Sequence, residues 1–207
     1  MPSVNTNVGA MVALQNLNAT NASLASTQSR ISTGLKVANA KDDGAAFAIA
    51  QSQRATVSSL DAVKDSISRG ISVVDVSMSA GESVSDMLTQ LKEKALAASD
   101  TSLDTTSRTA LQNDFESIRD QVTKTLSNAT FNGINLVDGT NANIAALANA
   151  DGSSTITVAG QDLSLGGSIV TLASDDTFAT ATSAGNLLST IDTSISNVSA
   201  ALAKLGT

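Results

Sequence analysis

The chain has 207 residues and a formal net charge of −7, from 12 basic and 19 acidic side chains, and it contains neither histidine nor cysteine. It therefore lacks the commonest general base, any thiol nucleophile and the usual zinc or iron ligands, so we expect no enzymatic activity, metal or other cofactor. The negative charge without a basic cluster argues against nucleic acid binding, and no apolar run approaches the ~20 residues that membrane insertion requires.

Hydrophobic residues make up 42% of the chain, but aromatic residues only 2%. Aromatic side chains bury the largest areas and usually dominate thick cores. Small aliphatic side chains instead let helices approach closely. The composition therefore favours thin, elongated helix packing over the rounded core of an enzyme.

The first predicted helix covers residues 5–33 and has an apolar residue at every seventh position. It carries no charged side chain before Arg30. Such a helix is marginal alone, because helices gain most of their stability from tertiary packing. One interpretation is a frayed N-terminal arm; we favour a segment that folds only when paired. The apolar seam of this helix consists of Ala10, Leu14, Leu17, Leu24 and Ile31.

A connector, residues 34–43, separates the first two predicted helices. Gly34 stands where a helix cap is expected, and residues 36–41 show no helical period. Asp42 and Asp43 precede the next helix, where carboxylates complement exposed amide groups and the positive end of the helix dipole. Metal binding is the alternative, but no third ligand lies nearby in the sequence, so we favour helix capping for both.

The longest predicted helix covers residues 44–99 and contains no proline. At ~1.5 Å per residue it would be on the order of 80 Å long. Its apolar stripe needs partners from the same chain or from neighbouring copies. Gly70 and Gly81 lie on or near the stripe, where they either allow close helix approach or are merely tolerated. The stripe consists of Leu60, Ile67, Ile71, Val74, Met78, Gly81, Leu88, Leu91 and Ala95.

A third helix is predicted over residues 105–129, after a short turn with capping residues. The short connection turns this helix back along the long one. Its apolar residues step by three or four, as expected for one buried helix face. The stripe includes Leu111, Phe115, Ile118 and Val122.

The helical period is then lost as far as residue 182. An Asn-Gly and an Asp-Gly pair in residues 131–139 are strong turn signals, and the apolar residues between them suggest a short strand. Alternation on both sides of a glycine predicts a hairpin over residues 155–165. We therefore expect residues 140–182 to form a small, mostly β or irregular, solvent-facing lobe.

The last segment, residues 183–207, returns to a helical period. The prediction is a mainly α fold, an elongated rod of long antiparallel helices packed like a coiled coil, with a small β or irregular surface lobe. We expect the chain to enter and leave that lobe at the same end of the rod. The apolar stripe of the last helix includes Ile191, Ile195, Val198 and Leu202.

Three stretches of the sequence carry a resemblance to a known family. Residues 30–50, RISTGLKVANAKDDGAAFAIA, closely resemble the N-terminal signature of bacterial flagellins. Residues 4–18 and the motif FNGINL at residues 131–136 are similar to that family as well. The resemblance extends more weakly to residues 183–207, in the style of short alphaproteobacterial flagellins. The signature positions are Arg30, Gly34, Ala40, Lys41, Asp42, Asp43, Phe131, Asn132 and Gly133.

The resemblance implies a secreted structural subunit of the flagellar filament, exported unfolded by the flagellar type III apparatus without a cleaved signal, that self-assembles for swimming motility. Residues 1–33 would form the filament-core helix, 34–43 the spoke, 44–139 the rod domain, 140–182 the exposed lobe and 183–207 a returning rod helix. The implied partners are other flagellin subunits, an export chaperone, and the hook-associated and cap proteins. A hook-associated junction protein, which shares the terminal helices, is the alternative interpretation.

The sequence departs from the family pattern in two places. Flagellins end in a core helix that pairs with the first helix, and nothing like it follows Thr207. The resemblance thus implies a chain truncated within its returning helix, which polymerises poorly alone and keeps residues before Arg30 mobile. At Gln90, Lys94 and Asp114, flagellins that stimulate the innate immune flagellin receptor usually carry Arg, Leu and Glu. We therefore expect weak or no receptor activation.

Overall fold

The computed structural model describes residues 7–141 and 143–206, and the chain divides into two compact units, Met1–Ser59 and Leu60–Thr207. The described residues form a mainly α fold with one two-stranded antiparallel sheet, which confirms the predicted fold class in its helical content and small β element. No helix in this described part is long and apolar enough to cross a membrane. The elements are α1 (Val8–Thr33), α2 (Gly44–Ala98), α3 (Thr105–Asn128), β1 (Asn143–Leu147), β2 (Thr155–Ala159) and α4 (Ala181–Leu205).

In the first unit, α1 begins and ends with caps supplied by its own sequence. The side chain of Asn7 accepts the backbone N–H of Ala10 at 3.1 Å. Gly34 adopts the left-handed conformation, with φ of 67°, and ends the helix as predicted. None of the 26 residues of α1 is buried within the chain. The helix therefore has its local end signals but no tertiary packing of its own.

The two adjacent aspartates before α2 have different roles. Oδ1 of Asp43 accepts the backbone N–H of Ala46 at 2.9 Å, which is the predicted helix cap. Oδ2 of Asp42 instead accepts the backbone N–H groups of Ala38 and Asn39, at 3.1 and 3.4 Å. The capping prediction is therefore wrong for Asp42, because the connector folds back and brings its own amides to this carboxylate.

In the second unit, α3 runs antiparallel to the C-terminal part of α2. Next to the turn between them, Nε of Arg108 donates to the carbonyl oxygen of Ala98 at 3.0 Å. One to two helical turns further along, Nζ of Lys94 lies 2.6 Å from a carboxylate oxygen of Asp114. The second contact lies farther from the turn than the first on both helices, so α2 and α3 run antiparallel.

Helix α4 also runs antiparallel to α2 and approaches it closely at Gly81. A Cβ atom at Gly81 would lie 2.5 Å from Cδ2 of Leu202, so a side chain at position 81 would force Leu202 to move. A Cβ atom at Gly70 would lie 3.5 Å from Cβ of Ala146, which is an ordinary contact. The interpretation of close approach therefore holds at Gly81, and that of mere tolerance holds at Gly70.

The hydrophobic core lies between α2, α3, α4 and the segment 160–178. The rings of Phe115 in α3 and Phe178 in this segment meet edge to face, with centroids 5.2 Å apart. The segment was expected to be part of a solvent-facing lobe. That prediction is wrong here, because its apolar side chains complete the core that the three helices share. They are Leu163, Val170, Leu172 and Phe178, each at most 1% exposed.

The same segment runs lengthwise along the helices. Helix α3 ends at Asn128, far from the α2–α3 turn, yet by residue 177 the chain has returned towards the beginning of α3. There, Oγ1 of Thr177 lies 2.6 Å from Nε2 of Gln112. Helix α4 then begins close to Ser99, at the end of α2. The expectation that the chain enters and leaves the lobe at one end is therefore wrong.

The sheet forms from a different pair of strands than expected. Strand β2 pairs antiparallel with the upstream strand β1, and Oδ1 of Asn149 accepts the N–H of Ser154 at 3.1 Å within the connecting turn. The hairpin predicted over residues 155–165 is therefore wrong in its second half. The reason is that the backbone N–H of Leu163 donates to the carbonyl of Val137 at 2.9 Å, which draws this stretch towards the core.

The Asn-Gly pair after α3 forms the tight turn that the sequence predicts. Asn132 and Gly133 have φ angles of 51° and 79°, and Phe131 and Ile134 exchange two backbone hydrogen bonds of 3.0 Å. The pairing ends with this isolated bridge. The short strand predicted here does not form, because Oδ1 of Asn135 accepts the backbone N–H of Val137 and so closes a local turn.

Asn135 joins the end of α3 to the core and is 2% exposed. Its Nδ2 donates to the carbonyl of Leu126 at 2.6 Å, and its Oδ1 accepts the backbone N–H of Val137 at 2.9 Å. The side chain thereby satisfies a carbonyl in the last turn of the helix and a buried amide.

We expect Asn135→Ala to lower the free energy of unfolding by about 2–4 kcal/mol, because two buried backbone groups lose their hydrogen-bond partner. Urea unfolding followed by circular dichroism measures this difference. The matched control is Asn128→Ala, at an exposed residue of the same helix end, which should stay within about 0.5 kcal/mol of the unsubstituted chain. Equal stability of the two variants would contradict the role of Asn135.

Candidate assembly surfaces

The apolar face of α1 is uncovered within the chain. Leu17 is 56% exposed and Ile31 is 78% exposed, although both belong to the predicted seam. Apolar residues at a regular seven-residue spacing form the surface that a second helix covers in a coiled coil. All residues of the seam are exposed on α1, and no helix among the described residues covers them. Its other members, Ala10, Leu14 and Leu24, are exposed as well.

The predicted rod stripes are mostly placed in or against the core of the second unit. The completely buried members are Leu88, Leu91, Phe115, Val122, Ile191 and Val198. Those partly buried against the core are Met78, Leu111, Ile118, Ile195 and Leu202. The stripe members of α2 before Met78 are placed differently: Ile67 and Val74 are half-buried, and Leu60 and Ile71 are exposed.

The buried face of α2 includes a serine and two alanines that the predicted stripe omits, Ser77, Ala80 and Ala98. From Val73 onward the buried positions step by three or four, apart from the adjacent pair Ala80 and Gly81. Ser77 is completely buried, and its hydroxyl donates to the carbonyl of Val73 at 2.8 Å, so a serine occupies the seam without an unsatisfied polar group. Leu60 and Ile71 are exposed and therefore lie off this buried face. The buried residues are Val73, Ser77, Ala80, Gly81, Val84, Leu88, Leu91, Ala95 and Ala98.

An apolar groove of about 240 Å³ lies in the second unit, between α2, the β1–β2 sheet and the end of α4. It explains why part of the predicted stripe is neither buried nor fully exposed. Ile67, Ile71 and Val74 line one wall, and Ile144 and Ile156 of the two strands line the other. These α2 side chains thus face the groove, while their neighbours one turn away face the core.

The three positions that depart from the family pattern, Gln90, Lys94 and Asp114, lie on neighbouring helix surfaces. Lys94 of α2 and Asp114 of α3 form an ion pair of 2.6 Å that connects the two helices, with side chains 34% and 58% exposed. Gln90 is exposed on α2, one helical turn before Lys94. An exposed pair of this kind adds little stability. The pair does hold a charged side chain at position 94, where the resemblance led us to expect leucine in flagellins that stimulate the receptor.

Carboxylates with shifted pKa values in the α2–α3 turn act as caps. The backbone N–H and hydroxyl of Ser102 lower the pKa of Asp100, and those of Ser107 lower the pKa of Asp104 at the start of α3. Arg108 donates to three backbone carbonyls of the same turn. Within the described residues, no group of three or more acidic side chains is placed to hold a metal ion. These hydrogen bonds therefore hold the turn that connects α2 to α3.

Most signature residues lie at caps and turns. Gly34 and the Asn132-Gly133 pair adopt positive φ angles, and Asp42 and Asp43 bind backbone amides as described above. The remaining four, Arg30, Ala40, Lys41 and Phe131, are exposed. No comparable sequence signal marks Asn135 or Arg108, because isolated polar residues do not reveal which backbone groups they will contact.

Comparison with known proteins agrees with the resemblance noted in the sequence. The family model described as the bacterial flagellin N-terminal helical region matches residues 4–142. Flagellin FljM of Caulobacter vibrioides is 52% identical over 205 residues, which cover 99% of this chain and 74% of that protein. A flagellin of Brucella melitensis is 33% identical over 211 residues, covering 95% of this chain and 72% of the relative.

The fold is similar to that of a solved structure as well. The crystal structure of Bacillus cereus flagellin superposes with a TM-score of 0.60 and 20% sequence identity, covering 70% of this chain and 81% of the other. At this identity the similarity supports the fold. The relatives from Caulobacter and Brucella support the alphaproteobacterial type that the sequence style suggests.

We expect the backbone amides of α1 in the dilute monomer to exchange with deuterium far faster than those of residues 73–98, because α1 has no buried residue and isolated helices are marginal. Hydrogen exchange with mass spectrometry measures both in one sample. Helix α3, similar in length but packed in the core, is the internal control. Protection of α1 at the level of α3 would contradict this expectation.

Proposed function

The chain belongs to the bacterial flagellin family and is a structural subunit of the extracellular flagellar filament that serves motility, and from that premise we propose that α1 is its filament-core contact. The family is structural rather than enzymatic, and its match over residues 4–142 does not favour the hook-associated alternative. The single observation that carries the proposal is the exposed apolar face of α1. A solitary soluble domain buries such a face, whereas a subunit presents it to neighbouring copies.

The absence of charge from this helix supports the same assignment. No charged side chain precedes Arg30, so a neighbouring helix can cover α1 without burying an unpaired ion. The polar residues of α1 are amides and hydroxyls, which can hydrogen-bond to a partner or to water. We propose residues 34–43 as the spoke, 44–139 with 183–207 as the rod, and the sheet region around residues 143–159 as surface.

Export and capping of the filament require further partners. We propose that the chain travels unfolded through the flagellar type III apparatus with an export chaperone, and that hook-associated and cap proteins flank the polymer. A chain without cysteine forms no disulfide that would obstruct passage, and the aromatic side chains buried among the described residues are Phe115 and Phe178. Both features support, without requiring, transport in an unfolded state.

We also propose weak or no activation of the innate immune flagellin receptor. The support is the ion pair between Lys94 and Asp114. A receptor that docks an apolar side chain at position 94 would have to bury a lysine here and separate it from its carboxylate. Desolvating that charge costs free energy that the apolar side chain would not require.

The core-contact proposal is tested by incorporation of a fluorescent chain into filaments growing from flagellar fragments. We expect Leu17→Asp to lower the incorporated fraction by about tenfold, because it places a charge in an apolar contact worth more than about 1.4 kcal/mol. The control is Asn18→Asp, which adds the same charge to a polar position of α1. Incorporation of Leu17→Asp at the level of the control, or failure of the unsubstituted chain to incorporate, would reject the assignment.

The receptor proposal is tested in reporter cells that carry the receptor. We expect the triple variant Gln90→Arg, Lys94→Leu, Asp114→Glu to be at least about tenfold more potent than the unsubstituted chain, as expected when one buried, unpaired charge is removed. Lys92→Leu, which breaks the separate ion pair with Asp192, is the control and should leave potency unchanged. Strong activation by the unsubstituted chain would sink the proposal.

A further inference from the structure

The charges of this chain are unequally divided between its two units. Residues 1–59 carry four basic and two acidic side chains, a net charge of +2, whereas residues 60–207 carry eight basic and 17 acidic side chains, a net charge of −9. The chain as a whole is acidic, so a positive first unit is a local feature. The four basic residues are Arg30, Lys36, Lys41 and Arg54.

These four cations are available to a partner. All four side chains are exposed, and none forms an ion pair with another described residue. The two acidic residues of this unit, Asp42 and Asp43, direct their carboxylates to backbone amides of the connector and of α2. The neighbouring acids therefore do not form salt bridges with the cations, and residues 30–54 present a basic segment.

The second unit presents an acidic face on α2. Asp75, Glu82, Asp86 and Glu93 are spaced by seven, four and seven residues, which places them on one side of the helix. All four are exposed and form no ion pair with a described residue. They span 19 residues, or ~27 Å from the first to the last at 1.5 Å per residue, and α2 carries no basic residue between positions 70 and 91.

This face lies on the side of α2 away from the core, and exposed Gln90, between Asp86 and Glu93, lies on the same side. The buried side of α2 faces α4 and the core, and Ile67, Ile71 and Val74 face the apolar groove. Charges at regular helical spacing beside an apolar seam commonly select partners in helix association. A row of like charges repels itself, so a cationic partner would relieve the repulsion.

We propose that the basic segment 30–54 of one copy docks on the acidic face of α2, Asp75 to Glu93, of a second copy. Every copy carries both surfaces, and they differ, so the contact is head-to-tail and repeats without closing, as a filament requires. The electrostatic attraction orients the incoming subunit and sets its register more than it adds affinity. The inference rests on self-assembly of the chain and adds to it a specific pair of surfaces.

The chain lacks cysteine, which makes a direct test of proximity possible. One preparation carries Ala40→Cys in the basic segment, and another carries Ser79→Cys on the acidic face; both residues are exposed. A short bismaleimide is added to the equimolar mixture at high protein concentration. Because each chain holds a single cysteine, every cross-linked product joins two copies. Ser127→Cys, an exposed serine of α3, replaces Ser79→Cys as the control.

We expect the mixed product of Ala40→Cys with Ser79→Cys to exceed that with Ser127→Cys by about fivefold at ~20 mM salt. The excess should largely vanish at ~1 M salt, where the Debye length falls to ~3 Å. Equal yields with the two serine positions would overturn the proposed pair of surfaces. Absence of any product would overturn it too, and sedimentation of the same sample with filament seeds would show whether self-assembly itself had failed.

Charge reversal tests whether the attraction is electrostatic. In the cysteine-bearing chains, Arg54→Glu and Asp86→Lys should each reduce the mixed product about threefold, as expected for one or two exposed charge pairs. Introducing both reversals in every chain should restore the yield, because opposite charges face each other again. Lys124→Glu, at an exposed cation of α3, is the control with the same charge change as Arg54→Glu. A loss of equal size in the control, or no restoration, would overturn the proposal.

Discussion

The structure of the second unit depends on the close approach of α2 to its neighbours, which small residues on one face of α2 make possible. Gly81 leaves room for Leu202 of α4, and Ser77 enters the seam because its hydroxyl is satisfied by its own helix. Dispersion attraction and apolar burial both weaken steeply when a gap opens between packed surfaces. A thin core with few aromatic residues therefore holds only because the helices lie close together, and the segment 160–178 fills the remaining space.

The first unit differs from the second, because none of the residues of its helix α1 is buried. Its helix has a cap at each end but buries no residue, so its order depends on what covers it outside the chain. This difference between the units suits a filament subunit. In the assignment we propose, the second unit keeps its packed core, and α1 offers an apolar face whose burial would drive association. A chain with both parts fully satisfied would have little free energy to gain from polymerisation.

Polar interactions in this protein mainly define geometry. Asn135, Arg108 and the two turn aspartates bind backbone groups at helix ends and hold the directions of the connecting segments. The ion pairs from α2 to α3 and α4 are exposed and add little stability. The net charge, by contrast, differs in sign between the two units: +2 in residues 1–59 and −9 in residues 60–207. Satisfied polar groups thus shape the subunit, and we propose that the exposed apolar and charged surfaces contact other copies.

The sequence by itself determined the helices and the local turns, because those depend on periodicity and on residues within a few positions of one another. The glycine cap at Gly34, the Asn132-Gly133 turn and the stripe of α3 are of this kind. Only the tertiary structure decided which strand pairs with β2, the path of residues 160–178 and the burial of Ser77 in place of Ile71. Each of these depends on contacts between distant residues, where several partners satisfy the same local pattern. Three-dimensional packing selects one of these partners, because that partner fits the available space and satisfies the available hydrogen-bonding groups.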